Sequence, residues 1–215
     1  MPPIRVVVFD LGETLLSEDR MWGSWADWLG VPRLTFSAVL GAVIERGQDH
    51  REVFGVLRPG FSFEHERARK EEGQPWALHR DDLYPDALPC VGRLRDAGLR
   101  VGVAANQPAH IEGQLARIGL HADFVASSGR WGVAKPSAAF FDRVVAEAGV
   151  PAAEIAYVGD RVDNDVIPAG AAGLFAVWLR RGPWGFIQAA LPGVAAAGAC
   201  IGSLEELPGV LGVAG

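Results

Sequence analysis

Cysteine, methionine and tyrosine are scarce in this chain, at two residues each in 215. Cys90 and Cys200 stand far apart, with no ligand spacing around them, so neither a disulfide framework nor a thiolate metal site is expected. Basic residues are in the minority, 20 against 26 acids. The resulting net charge of −6 argues against a nucleic-acid or anionic-membrane surface as the main partner. No apolar run reaches the ~18 residues of a membrane span. The start, Met-Pro-Pro, runs straight into a strand-like segment without a basic stretch and small-residue cleavage site. The expectation is a cytoplasmic protein. The five histidines have no ligand spacing, and His65 falls in the charged run "FEHERARKEE". No repeat at a fixed period is visible.

What the chain does contain is apolar bulk, 49% of residues, enough for a substantial core. Five apolar or β-branched runs read as strands. They are "IRVVVFD" (4–10), "LRVGVAAN" (99–106), "ADFVAS" (122–127), "EIAYVGD" (154–160) and "LFAVWLR" (174–180). Helix-like segments alternate with them. "DALPCVGRLRDAG" (86–98) and "HIEGQLARIG" (110–119) close on glycine, as helices do. "PSAAFFDRVVAEAG" (136–149) opens on proline and closes on glycine. The tail, "ACIGSLEELPGVLG", reads as a short edge strand and a last helix. Such alternation predicts an α/β fold, a Rossmann-like doubly wound parallel sheet.

Residues 16–84 break the rhythm. No run there is convincingly a strand. Trp22, Trp25 and Trp28 recur at helical spacing, "LTFSAVLGAVIERG" is amphipathic and "FSFEHERARKEEG" is a charged helix. The expected organisation is a core of 1–15 and 85–215 with an all-helical insertion at 16–84, the tryptophans marking its core or its seam.

Ligands of open parallel sheets bind beyond the carboxyl ends of the strands. This sequence delivers Asp10 there from the first run, and Ala105, Asn106 and Gln107 from the second. Lys135 arrives on the loop before the 136–149 helix; Asp160, Asp163, Asn164 and Asp165 follow the fourth run. Carboxylates crowded at a buried mouth repel one another and are costly to desolvate. A hard dication removes that cost, and Mg²⁺ takes one or two carboxylates together with a phosphate. Lys135 is placed to act as a point charge beside them. An aspartate held this way can attack phosphorus and form an aspartyl-phosphate. "LRRGPWG" (179–185) carries Arg180 and Arg181 and reads as a solvated loop.

"VVVFDLGETL", "GVAANQ", "GVAKPSAAFF" and "AYVGDRVDNDVIPAGAAG" together resemble the four motifs of the haloacid-dehalogenase-like hydrolase superfamily. "LYPDALPCVGRLRDAG" resembles its re-entry from an inserted cap. The resemblance implies Asp10 as nucleophile and Lys135 as its electrostatic partner. It implies Mg²⁺ held by Asp10, Asp160, Asp165 and the backbone carbonyl of Gly12. Thr14 and Asn106 are the substrate-binding candidates, and residues 16–84 the helical cap. The implied activity is a Mg²⁺-dependent phosphatase acting on a small phosphorylated molecule. Two departures stand out. Gly12 occupies the place of the second Asp, the phosphatases' general acid–base, so turnover is expected to be slow; Glu13 is the nearest substitute, a local hydrogen bond being its other reading. Ala105 replaces the hydroxyl residue of the second motif. Haloacid-dehalogenase chemistry, in which Asp attacks carbon, and a catalytically impaired binding protein remain the alternatives.

Overall fold

A computed structural model describes residues 3–73 and 75–213. The chain divides into two compact units, one formed by residues up to Ser17 and from Leu78 onward, the other by Glu18–Ala77.

The first unit is a six-stranded parallel sheet: β1 (Val6–Phe9), β2 (Arg100–Ala105), β3 (Phe124–Ser127), β4 (Ile155–Gly159), β5 (Phe175–Leu179) and β6 (Ala199–Ile201). Their order is β3-β2-β1-β4-β5-β6, the doubly wound arrangement expected from the alternation of runs. Phe9 pairs with Val103 on one side and Val158 on the other. The order therefore reverses at β1, the crevice where such sheets take ligands. Val6, Val7, Val8 and Phe9 are all wholly buried, which explains the unbroken apolar run.

Helix Ala138–Ala148 buries Phe140, Phe141, Val144 and Ala148 and ends at Gly149, whose φ of 66° is the left-handed conformation glycine tolerates. Phe141 meets Tyr157 of β4 edge-on at 5.2 Å. Burying each such phenyl ring contributes about 1.5–3 kcal/mol. The helix starts two residues later than expected: Ser137 donates from its backbone to Ala134, so Pro136 belongs to a turn. The 110–119 segment is not one helix but three short turns, Ala109–Ile111, Glu112–Leu115 and Ala116–Ile118. Glycine at 113 disfavours a continuous helix by about 1 kcal/mol. Burial of Ile111, Leu115 and Ile118 still fixes the face.

The second unit contains helices Asp19–Leu29, Arg33–Glu45, Glu52–Leu57 and Phe63–Gly73. Its centre is aromatic. Phe54 stacks on Phe61 at 4.9 Å and meets Trp25 edge-on at the same distance. Trp22 and Trp28 are half-buried, their indole N–H groups donating to Glu18 and Glu66. The helical unit is shorter than residues 16–84. Ser17 donates to Asp82 and Tyr84 to Leu15, and Leu16 bridges Leu83, so these stretches form a ribbon within the sheet unit. No single helix among the described residues is long and apolar enough to cross a membrane.

Candidate active site

Asp10 continues β1 by one residue. Its N–H donates to Val158 at 2.8 Å, so it is still in sheet register. The chain then coils tightly, with Leu15 and Leu16 donating back to the carbonyl of Leu11 at 3.0 and 2.9 Å. Asp160 follows β4, and Asp165 sits in a π-helical turn, Val162–Val166, ahead of helix Ile167–Ala171. One carboxylate oxygen from each of Asp10, Asp160 and Asp165 lies within 4.8 Å of the others, and all three residues are buried.

Lys135 reaches this cluster from the loop before helix Ala138–Ala148. Its Nζ lies 2.6 Å from Asp10 Oδ1 and 2.6 Å from Asp165 Oδ1. The ammonium is almost fully enclosed. Burial alone would disfavour its charge, but the carboxylates of Asp10 and Asp165 outweigh that and hold its pKa well above the ordinary lysine value. Asp165 is pushed up to about 6, chiefly by burial, with the charge of Asp10 adding and Lys135 opposing. The ammonium thus contacts two of the three carboxylates, Asp10 and Asp165. When all are ionised, three carboxylates stand against the Lys135 ammonium, and the Arg161 guanidinium, itself paired with Asp163, also feels the charge of Asp160 and Asp165. Hard oxygen donors with that excess are the donor set a small dication takes.

The loop bearing the acids is fixed from several sides. The Trp178 indole donates to the Asp160 carbonyl at 2.9 Å. Arg161 N–H donates to Asp165 Oδ2 at 3.0 Å, and its guanidinium chelates Asp163 at 3.2 and 2.7 Å. Gln188 Oε1 accepts from Val162 N–H at 2.7 Å.

The other expected residues are placed as follows. Asn106 faces Lys135 with both ends of its amide: Oδ1 accepts from Lys135 N–H at 2.8 Å and Nδ2 donates to Lys135 C=O at 3.0 Å. Its side chain therefore sets the Lys135 backbone. Thr14 is wholly buried, and its Oγ1 meets no partner among the described residues. Gly12 bridges Leu16 within the coil. Glu13 packs against Tyr84. Its Oε2 accepts from the Tyr84 hydroxyl at 2.6 Å. The residue is 5% exposed and its backbone has a φ of 52°, which costs a non-glycine residue about 1–2 kcal/mol. A Cβ on Gly182 would come within 2.5 Å of Glu13 Oε2, so glycine there is what admits the carboxylate.

Arg181 is not a solvated loop residue. Its guanidinium forms a two-pronged ion pair with Asp86, donates to the Thr14 carbonyl at 3.0 Å, and lies 4.1 Å over the Tyr84 ring. Asp86 also accepts from Ser203 Oγ and Leu204 N–H, at 2.9 and 3.0 Å. Trp178, Gln188, Tyr84 and Asp86 were not legible as site supports, because each bond joins segments distant in the chain. Paired arginines after an apolar run were the one visible sign of Arg181.

A sheet with this strand order and an aspartate–lysine–aspartate cluster at its switch point defines a haloacid-dehalogenase-like hydrolase. A family model of that description, "haloacid dehalogenase-like hydrolase", matches residues 4–173, and the chain belongs to that family. Glyceraldehyde 3-phosphate phosphatase of Methanopyrus kandleri is 36% identical over 104 residues, which are 47% of this chain and 45% of that protein. Phosphoserine phosphatase of Thermus thermophilus is 35% identical over 106 residues, 48% of this chain and 43% of that protein. The chain thus spans under half the length of these curated relatives. Among solved structures, a HAD phosphatase from Thermococcus onnurineus superposes with a TM-score of 0.62 at 25% identity, over 97% of this chain and 98% of that one.

Proposed function

We propose that this protein is a Mg²⁺-dependent phosphoryl hydrolase acting on a small phosphorylated molecule. The observation that carries the reading is the charge imbalance of the buried cluster, three carboxylates against one ammonium. Asp10, Asp160 and Asp165, with the carbonyl of Gly12, are the residues that would hold the ion. Bound there, Mg²⁺ would supply positive charge against the phosphoryl oxygens.

Asp10 is the nucleophile. Lys135 pulls one carboxylate oxygen to a fixed position, leaving the other to attack phosphorus. The phosphorus–oxygen bond to the leaving group breaks as the bond to Asp10 forms, giving an aspartyl-phosphate that water then hydrolyses. Asn106 serves by fixing the Lys135 backbone rather than by touching substrate with its amide. Thr14 is a proposed substrate-binding residue, its buried Oγ1 having no partner among the described residues. Residues 18–77 are the proposed cap, on the ground that they interrupt the chain just after the nucleophile loop.

Gly12 contributes no proton donor, and Glu13 is held by Tyr84. The leaving oxygen therefore departs without help from this loop, and turnover is slow. Gly12 also suits the second reading, dehalogenation by attack of Asp10 on carbon. An anionic cluster would repel the carboxylate of a haloacid, which favours the phosphoryl reading.

The test is intact mass spectrometry after incubation with acetyl phosphate and Mg²⁺. The expected result is a phosphoryl adduct that EDTA prevents and Asp10→Asn abolishes. No adduct together with no phosphate release from an aryl phosphate would overturn the proposal. Chloride release from a chloro-acid without Mg²⁺ would install the dehalogenase instead.

A further inference from the structure

The acidic loop 160–166 carries two of the three cluster carboxylates, and one carboxamide outside it spans its first turn. Gln188 is 8% exposed and follows helix Gly182–Ile187, beyond residue 173 where the family match ends. Its Oε1 accepts from Val162 N–H at 2.7 Å and its Nε2 donates to Asp163 Oδ1 at 2.9 Å. The two partners fix the orientation of the amide, since an N–H needs the oxygen and a carboxylate needs the nitrogen. Val162 opens the π-helical turn, where the first N–H groups have no acceptor within the turn itself. It is wholly buried, so water does not substitute. Neighbouring contacts point the same way: Arg161 lies 5.1 Å over Trp184 of the same helix.

We infer that Gln188 is a positioning residue for the cation site: by satisfying Val162 and tethering Asp163 it holds Asp160 and Asp165 at the spacing a dication requires. This rests on the Mg²⁺ reading above. Groups hydrogen-bonded to metal ligands typically govern affinity by ~10–100-fold when removed, and Gln188 acts one step further out, through Val162 and Asp163, so the lower end, ~10-fold, is expected. Replacing Gln188 by methionine keeps length and volume but leaves Val162 N–H without an acceptor. The turn must then shift to find one, carrying the carboxylates with it.

The experiment compares full-length wild type with Gln188→Met by Mg²⁺ titration calorimetry, by melting in EDTA, and by hydrogen–deuterium exchange of peptides covering 160–166 and 182–190. The expected result is Mg²⁺ affinity weakened about 10-fold, with faster exchange in 160–166 already in EDTA. A wild type that binds Mg²⁺ and a variant with the same affinity would overturn the inference. So would faster exchange confined to 182–190, which is what a role limited to packing its own helix produces. If the wild type binds no Mg²⁺, the metal reading fails. In that case unchanged exchange in 160–166 also removes the bracing role, whereas faster exchange there leaves the brace intact without its metal. Should Gln188→Met not fold, Gln188→Asn is read in the same assays: it keeps the amide but is one methylene too short to span both partners.

Discussion

Lys135 can be replaced by methionine, which has similar length and no charge. At an effective dielectric of about 20, each of its two 2.6 Å contacts is worth roughly 6 kcal/mol in Coulomb terms. Most of that is offset by the cost of burying the charges. Removing one partner of a buried pair leaves the others uncompensated and typically costs about 3–5 kcal/mol. For a chain of this length, 1 kcal/mol moves the midpoint by about 2–4 °C, so Lys135→Met should melt about 6–20 °C lower in EDTA. Lys135 keeps its proton at neutral pH, because Asp10 and Asp165 more than reverse the effect of its burial. The loss is therefore fully developed at pH 7. Mg²⁺ should then stabilise the variant more than the wild type, since the ion takes over the missing countercharge. Differential scanning fluorimetry in EDTA and in Mg²⁺ reads both numbers. A variant melting within about 2 °C of the wild type in EDTA would refute the idea that one ammonium holds the carboxylates together.

Three further outcomes are expected. Asp165 has a folded pKa of about 6, above its ordinary 3.8; a proton bound in the folded state means metal-free stability from this group falls as pH rises through that window. Mg²⁺ needs the ionised form, so the Mg²⁺-induced rise in melting temperature should grow between pH about 5 and about 7; a flat difference would count against metal binding at Asp165. Gly12→Asp should raise turnover of an alkyl phosphate by ~10²–10⁴-fold, and of p-nitrophenyl phosphate by less, because that phenolate leaves unprotonated; equal gains would argue against a missing proton donor. Asp86→Ala should destabilise the fold by about 3–5 kcal/mol in chemical denaturation. Burial raises the Asp86 pKa, but Arg181, Ser203 and Leu204 N–H outweigh it and leave it below the ordinary 3.8. Its contribution is thus present above that value and lost on acidification, so wild type and variant should converge as pH falls below about 4.

The sheet was legible because its strands are buried on both faces and read as continuous apolar runs. Val6–Phe9 and Ile155–Gly159 fall inside the runs that named them. The acids at those strand ends were legible for the same reason, a charge terminating an apolar run being conspicuous. Helix Glu52–Leu57 has no signature in the sequence, being at six residues too short for its periodicity to register. The supports of the site were hidden for a different reason. Arg181 and Asp86 lie 95 positions apart and Ser203 and Asp86 117 apart, so nothing local marks them as partners. Glu13 could be narrowed to two roles from its place in the chain. The group it bonds, the Tyr84 hydroxyl, comes from 71 residues away and has no local sign in the chain.

The ribbon joining Leu15–Ser17 to Asp82–Tyr84 gives the interval between them a single doorway. Both crossings pass the same pair of rungs, Leu16 opposite Leu83. Insertions or deletions between Ser17 and Asp82 therefore return the chain to the sheet unit at the same place as long as Leu16 stays opposite Leu83.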